Sequence, residues 1–233
     1  MAAEAQQSNE FKRLAAERAV EFVASGMVVG LGHGTTSAFA IARLGELLRT
    51  GSLSRITGIP CSKQTEAGAR QAGIPVGTLD DHPSIDIVID GADEVDPKLN
   101  MIKGGGGALL REKVVAEASK RRVYIVDETK LVPALGTLRA VPVEAIPYAS
   151  KSLFPYLQSL KTQPGLRMAN DGSLFLTDQG NVIIDCKTGP LSQPEDLAAA
   201  LRSRAGIVEH GLFLHLATDV IVAGPKGIRH LKP

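Results

Sequence analysis

Short apolar runs alternate with helix-patterned stretches through the first 130 residues, and this alternation constrains the fold more than any other feature of the chain. Phe11, Leu14, Ala15, Ala19, Phe22 and Val23 recur at helical spacing, so residues 10–25 predict an amphipathic helix closed by Gly26. Strands are expected at 27–31, 56–60, 75–79, 85–90 and 122–126, with helices at 38–48, 63–71 and 108–119. Strands that take turns with helices imply parallel β/α units. The expected class is α/β, a Rossmann-like β/α sheet domain in which ligands bind beyond the carboxyl ends of the strands.

The pattern changes near Gly136. A strand at 140–146 is followed by a helix at 153–160, with Pro155 confined to its first turn. Residues 166–186 read as two strands around the turn Asp178-Gln179-Gly180-Asn181, and 194–204 as a helix. This predicts a smaller inserted α+β domain. The final apolar strand, 219–223, is expected to return to the first sheet. The expected division is therefore 1–135 plus 212–233 as the larger sheet domain, and 136–211 as the smaller domain.

Bulk properties exclude several classes. The 233 residues carry 26 basic and 25 acidic side chains, a net charge of +1, which argues against nucleic-acid binding driven by charge. Only 4% is aromatic and there is no Trp, so base-stacking platforms are not expected either. The first residues lack the basic and apolar regions of a signal peptide, and no apolar run approaches the length of a membrane span. Cys61 and Cys186 read as reduced packing thiols, with no base evident beside either in the sequence.

Two loops carry the chemistry. Gly30-Leu31-Gly32-His33-Gly34-Thr35-Thr36-Ser37 lacks the third glycine of a dinucleotide fingerprint, because residue 35 is Thr, and it lacks the Gly-Lys-Ser/Thr of a P-loop. A strand–glycine–helix turn rich in hydroxyls remains. It suits a phosphate, held by backbone N–H groups at a helix N-terminus, or it is an ordinary hydroxyl N-cap. Lys12 and Lys130 are candidate cations for a phosphate dianion.

The second loop runs from Asp90-Gly91-Ala92-Asp93-Glu94 through Lys103-Gly104-Gly105-Gly106-Gly107 to Arg111-Glu112-Lys113. Aldose–ketose exchange needs a base that reaches two adjacent carbons, and fixed donors for the enediolate's negative charge. Asp90, Asp93 and Glu112 offer carboxylates, while Lys103 and the glycine amides offer donors. The alternatives are turn residues before Pro97 for Asp93 and Glu94, helix-dipole or ion-pair duty for Glu112, and a Mg²⁺ site on two of the carboxylates.

These segments resemble ribose-5-phosphate isomerase of the A type over nearly the whole chain. The similarity extends to Val126-Asp127-Glu128-Thr129-Lys130, Pro142-Val143-Glu144, Gly180-Asn181 through Asp185-Cys186, and Val208-Glu209-His210-Gly211-Leu212-Phe213. The resemblance implies interconversion of D-ribose 5-phosphate and D-ribulose 5-phosphate through a cis-enediolate, with no cofactor and no metal. It implies Glu112 as the base between C1 and C2, and Asp90 in ring opening and proton transfer at oxygen. Asp93 would orient sugar hydroxyls, and Lys103 with Gly104, Gly105 and Gly106 would steady the oxyanion. Gly34, Thr35, Thr36, Lys12 and Lys130 would bind phosphate. A cytoplasmic homodimer or homotetramer is implied, with a small sugar phosphate as partner and neither nucleic acid nor membrane.

One departure is His33, where that family usually has Thr or Ser; it either contacts phosphate or points away. His210 and His215 do not match a common zinc spacing. Two other readings share the architecture: an amino-sugar isomerase–deaminase, and a non-catalytic phosphosugar sensor.

Overall fold

The computed structural model describes residues 2–233. In chain order its elements are α1 (Ala2–Val20), β1 (Val28–Leu31), α2 (Thr35–Arg49), β2 (Thr57–Pro60), α3 (Lys63–Gln71), β3 (Ile85–Gly91), β4 (Glu94–Val95) and β5 (Met101–Ile102). There follow α4 (Leu109–Glu117), β6 (Ser119–Asp127), β7 (Val141–Ala145), α5 (Phe154–Ser159), β8 (Gln163–Leu166), β9 (Val182–Lys187), α6 (Pro194–Arg202), β10 (Ile207–His210), β11 (Leu212–Phe213), β12 (Asp219–Gly224) and β13 (Gly227–Leu231). Among the described residues no helix is long and apolar enough to cross a membrane.

Contacts divide the chain into two units. The first comprises residues 1–92, 111–130 and 216–233. Its sheet has the order β13-β12-β6-β3-β1-β2. Neighbours from β12 through β2 are parallel, and β13 joins as an antiparallel edge. Side chains alternate across such a sheet. Val29, Leu31, Ile87, Ile89, Val123 and Ile125 form a buried core with Ala15, Ala16 and Ala19 of α1 and Ala40 and Leu44 of α2. A second cluster joins Ile59, Cys61, Ile85 and Val88 to Val115 of α4. Gly30 makes that approach possible, since a Cβ there would lie 2.7 Å from Val115 Cγ1 and 2.8 Å from Val88 Cβ.

The second unit comprises residues 93–110 and 131–215. Its larger sheet, β10-β7-β9-β8, is antiparallel throughout. Val141, Val143, Val182, Ile184 and Cys186 bury against Leu153 and Leu157 near α5 and against Leu197, Ala198 and Leu201 of α6. A three-stranded antiparallel sheet, β11-β5-β4, frames the lysine–glycine loop.

Several expectations need correction. The first helix runs from Ala2 and stops at Val20, before Gly26, with Phe22 N–H returning to Ala19 O to close the last turn. The strand expected at 75–79 reduces to a single bridge between Gly58 and Val76. A turn beginning at Thr78, whose Oγ1 accepts from Asp81 N–H, draws the chain away. Residues 166–186 are not two simple strands, because isolated bridges Met168–Leu174 and Leu176–Val182 separate β8 from β9.

Candidate active site

In the first unit the carboxyl ends of β1, β2 and β3 lie side by side, because these strands are parallel neighbours. The residue after each strand therefore emerges at one edge of the sheet. Gly32 follows β1, Cys61 follows β2, and Asp90 sits in the last turn-out of β3. A Cβ on Gly32 would fall 2.2 Å from Asp90 Oδ1, so only glycine admits the Asp90 side chain here. That oxygen accepts from His33 N–H (3.0 Å), Gly91 N–H (2.7 Å) and Ser37 Oγ (3.2 Å). Three donors on one buried oxygen fix the direction of the carboxylate.

Gly34, with φ of 97°, is the N-cap of α2 and has no side chain to cap it. Thr35, Thr36 and Ser37 are thus first-turn residues, not caps, and the helix N-terminus keeps its anion-binding character. Thr35 is exposed and Thr36 half-buried, whereas Ser37 is buried and turned to Asp90. Lys12 is half-buried on α1, the helix that packs on α2. Lys130 ends the single 3-10 turn that follows β6 at the same sheet edge as the glycine loop.

His33 joins a directed chain of hydrogen bonds. Thr65 Oγ1 donates to Gly32 O (3.1 Å), and Ser62 Oγ donates to Thr65 Oγ1 (2.8 Å). The one hydroxyl hydrogen of Ser62 is thereby used. The 2.9 Å contact between Ser62 Oγ and His33 Nδ1 then requires Nδ1 to be the donor. A neutral His33 ring consequently carries its lone pair on Nε2. Ser62 also caps α3, accepting from Thr65 N–H at 2.9 Å.

Glu112 lies one turn before Val115 on α4, on the face that Gly30 draws against the sheet. The structure brings it to Asp90: donor atoms of Cys61, Asp90 and Glu112 all lie within 4.8 Å of one another. Their exposures are 1%, 2% and 4%. Cys61 is the packing residue expected, but it has carboxylates beside it that the sequence did not reveal.

In the second unit Asp93 precedes β4, and its N–H bonds Ile102 O at 2.8 Å. Its Oδ2 accepts from Gly105 N–H at 2.8 Å, tying the acidic residue to the lysine–glycine loop. Lys103 is buried, its N–H held by Gly211 O at 2.8 Å and its Nζ 5.5 Å from the centre of the Phe213 ring. Gly105 and Gly106 are exposed at the tip of the loop, and Gly104 is buried.

Two features of this unit had no sequence signal. Arg167 donates from Nη1 to Gly104 O (2.8 Å) and Gly105 O (3.1 Å), and from Nε to Asp185 Oδ2 (2.9 Å). It braces the glycine loop at the wall of a cavity of about 280 Å³ lined by Asp93, Gly105, Arg139, Pro142, Arg167 and Asp185. Glu94 is no simple turn residue. It is fully buried in β4 and accepts from the N–H groups of Gly136 (2.7 Å) and Arg139 (2.6 Å).

Buried carboxylates from a strand end and a helix, beside a glycine loop that opens onto a helix N-terminus, define an α/β enzyme equipped for proton transfer. The family profile of ribose 5-phosphate isomerase A (phosphoriboisomerase A) matches residues 57–227. Ribose-5-phosphate isomerase A of Chloroflexus aurantiacus is 53% identical over 220 residues, covering 94% of this chain and 92% of its own. That of Desulfatibacillum aliphaticivorans is 52% identical over 221 residues, covering 95% and 96%. A solved structure of D-ribose-5-phosphate isomerase in complex with phospho-erythronic acid superposes with a TM-score of 0.94 at 40% identity, covering 96% of this chain and 98% of that one. The chain belongs to the ribose 5-phosphate isomerase A family and is an aldose–ketose isomerase.

Proposed function

We propose that this isomerase interconverts D-ribose 5-phosphate and D-ribulose 5-phosphate through a cis-enediolate, in the non-oxidative branch of the pentose phosphate pathway. The observation that carries the mechanism is the buried pair of Asp90 and Glu112, with donor atoms within 4.8 Å. Glu112 is the base that moves the proton between C1 and C2; its burial suits a carboxyl that must both take and return a proton. Asp90, pinned through Oδ1, serves ring opening and the proton on oxygen. Asp93 orients sugar hydroxyls. Lys103 and the amides of Gly104, Gly105 and Gly106 stabilise the oxyanion. A relative bound to phospho-erythronic acid supports this reading, because a sugar acid's carboxylate is a planar anion like the enediolate.

The phosphate is assigned to the α2 N-terminus with Gly34, Thr35 and Thr36, and to Lys12 and Lys130 as cations. His33 joins them through Nε2 once the ring is protonated. The working unit is a cytoplasmic homodimer or homotetramer that needs no cofactor or metal.

Proton NMR of the protein with ribose 5-phosphate in D₂O and excess chelator tests the reaction. Ribulose 5-phosphate appearing with deuterium at the exchanging carbon is expected. Isomerisation of another pentose phosphate with ribose 5-phosphate left unchanged would overturn the substrate assignment. Dependence on added metal would overturn the mechanism.

A further inference from the structure

We propose that Arg139 is a specificity residue of this isomerase, donating a hydrogen bond to the oxygen of the sugar hydroxyl whose hydrogen Asp93 accepts. The statement rests on the assignment of Asp93 to sugar hydroxyls and adds the donor that a hydroxyl held there requires.

The place of Arg139 is set by its neighbour in space, Glu94. This carboxylate is fully buried in β4, next in sequence to Asp93, and it accepts from the backbone N–H groups of Gly136, Leu138 and Arg139. A carboxylate withdrawn from water needs such donors, so residues 136–139 are held to the strand that Asp93 leads into. The backbone of Arg139 is thereby anchored. Its side chain is exposed and makes no hydrogen bond or ion pair with the described residues.

Arg139 and Asp93 line one cavity of about 280 Å³. Arg139 and Gly105 are exposed on its wall, so it opens to solvent. The other charged groups of that wall are engaged with each other. Asp185 accepts from Arg167 Nε and Nη2, while Arg167 Nη1 donates to Gly104 O and Gly105 O. Gly105 N–H is spent on Asp93 Oδ2, which leaves Asp93 Oδ1 to accept from a ligand. Ala140 and Pro142 offer an apolar face for sugar C–H groups. A hydroxyl is both donor and acceptor. Asp93 takes its hydrogen, and the oxygen then calls for a donor, which the uncommitted guanidinium of Arg139 supplies.

The reaction itself singles out the hydroxyl. In ribose 5-phosphate O1 and O2 exchange the roles of carbonyl and hydroxyl, O4 closes the ring, and O5 carries the phosphate. Only O3 is left unchanged, so only O3 can be held by one donor and one acceptor from start to finish. A site built in this way discriminates against a sugar lacking that hydroxyl, because Asp93 and Arg139 would then face each other's vacancy in place of a partner.

The test compares wild type, Arg139→Ala, Arg139→Lys and Asp93→Asn, each first shown to be folded by its thermal transition. KM is measured for ribose 5-phosphate, and Ki for 3-deoxyribose 5-phosphate as a competitor, which therefore need not turn over. In Arg139→Ala, KM is expected to rise about tenfold or more, as for a lost hydrogen bond from a charged group, while Ki moves less than about threefold. Arg139→Lys keeps a charged donor and should recover part of that loss. An unchanged KM in Arg139→Ala, or equal shifts in KM and Ki, would overturn the contact with O3. A selective KM effect in Arg139→Ala beside equal shifts in Asp93→Asn would leave Arg139 on O3 and remove Asp93 from it. Failure of wild type to convert ribose 5-phosphate would overturn the substrate assignment, and this inference with it.

Discussion

At the scale of single residues, the proposed chemistry depends on Glu112 and Asp90 having different surroundings. Asp90 receives three hydrogen bonds on one oxygen, so its role is fixed in direction. Glu112 reaches the same place from a helix, within 4.8 Å of Asp90, by a longer side chain. Glu112→Gln keeps the shape but cannot carry a proton, and kcat should fall by about 10²–10⁴-fold with the thermal transition little changed. A folded variant with near-normal turnover would remove the base assignment. Both carboxylates were legible in the sequence by residue type and family resemblance. Cys61 as their neighbour was not, because adjacency across parallel strands has no trace in linear spacing. Arg167 was equally invisible, lying more than sixty positions from the glycine loop it holds.

At the scale of elements, most of the parallel sheet could be read from apolar runs and their punctuation. The helix at 63–71 matched in full, since Ser62 caps it and Gly73 follows it. The two-residue strands β4, β5 and β11 escaped because they are too short to show any period. Strand β13 escaped because Gly227 to His230 are exposed and carry no alternation. The brace between β8 and the glycine loop makes its own prediction. Arg167→Ala removes the donors on Gly104 O and Gly105 O, and misplacement by 1 Å can cost about 100-fold in rate. A kcat loss of at least tenfold is expected, only partly recovered by Lys, which cannot grip Asp185 and two carbonyls at once. Loss in KM alone would make Arg167 a ground-state contact.

Strand β7 supplies another prediction. Burial pushes the Glu144 carboxyl upward, against bonds to Oε1 from Asn181 and Thr177 at 2.9 Å each. The folded state therefore holds this proton at pH values where the unfolded chain releases it, and ionisation costs stability as pH rises above the ordinary Glu value of about 4.3. Glu144→Gln should gain Tm relative to wild type between pH 4 and 8, with no such trend at lower pH. A Tm difference independent of pH would contradict this.

At the scale of the whole molecule, the two units carry different parts of the proposed chemistry: Asp90 and Glu112 belong to one, Asp93 and Lys103 to the other. The first unit also secures its own far edge. Asp219 of β12 accepts from Arg121 Nε and Nη2 at 2.9 Å each, from Thr218 Oγ1 at 2.8 Å, and meets His230 Nε2 of β13 at 2.7 Å. Arg121 and His230 both lie against the Phe22 ring beyond α1. Burial alone would raise the Asp219 carboxyl, but Arg121, Thr218 and His230 together hold it well below the usual range. A depressed value contributes stability above the unfolded pKa of about 3.9, lost as pH falls below it. Asp219→Asn should cost about 1.5–3 kcal/mol near neutral pH, the range for hydrogen bonds to a charged group. Urea melts should show that deficit shrinking below pH 4, and a deficit constant with pH would point to packing instead.

The hydroxyl chain from Gly32 to His33 is a wire one hydrogen wide, and its polarity is set at the far end by a carbonyl that can only accept. On the proposed assignment of His33 to the phosphate, affinity in wild type should fall as pH rises, since only a protonated ring adds a positive charge and a second N–H donor. Thr65→Val cuts the wire at its source. Ser62 is then free to donate to Nδ1, the ring's own hydrogen moves to Nε2, and a neutral His33 becomes a donor. Nitrogen NMR of the ring should report the exchanged tautomer, and KM should lose most of its pH dependence. If Thr65→Val and wild type share one KM–pH profile, His33 does not touch the phosphate. A single exchange of hydroxyl for methyl on α3 would thus rewrite the acid–base logic of the loop.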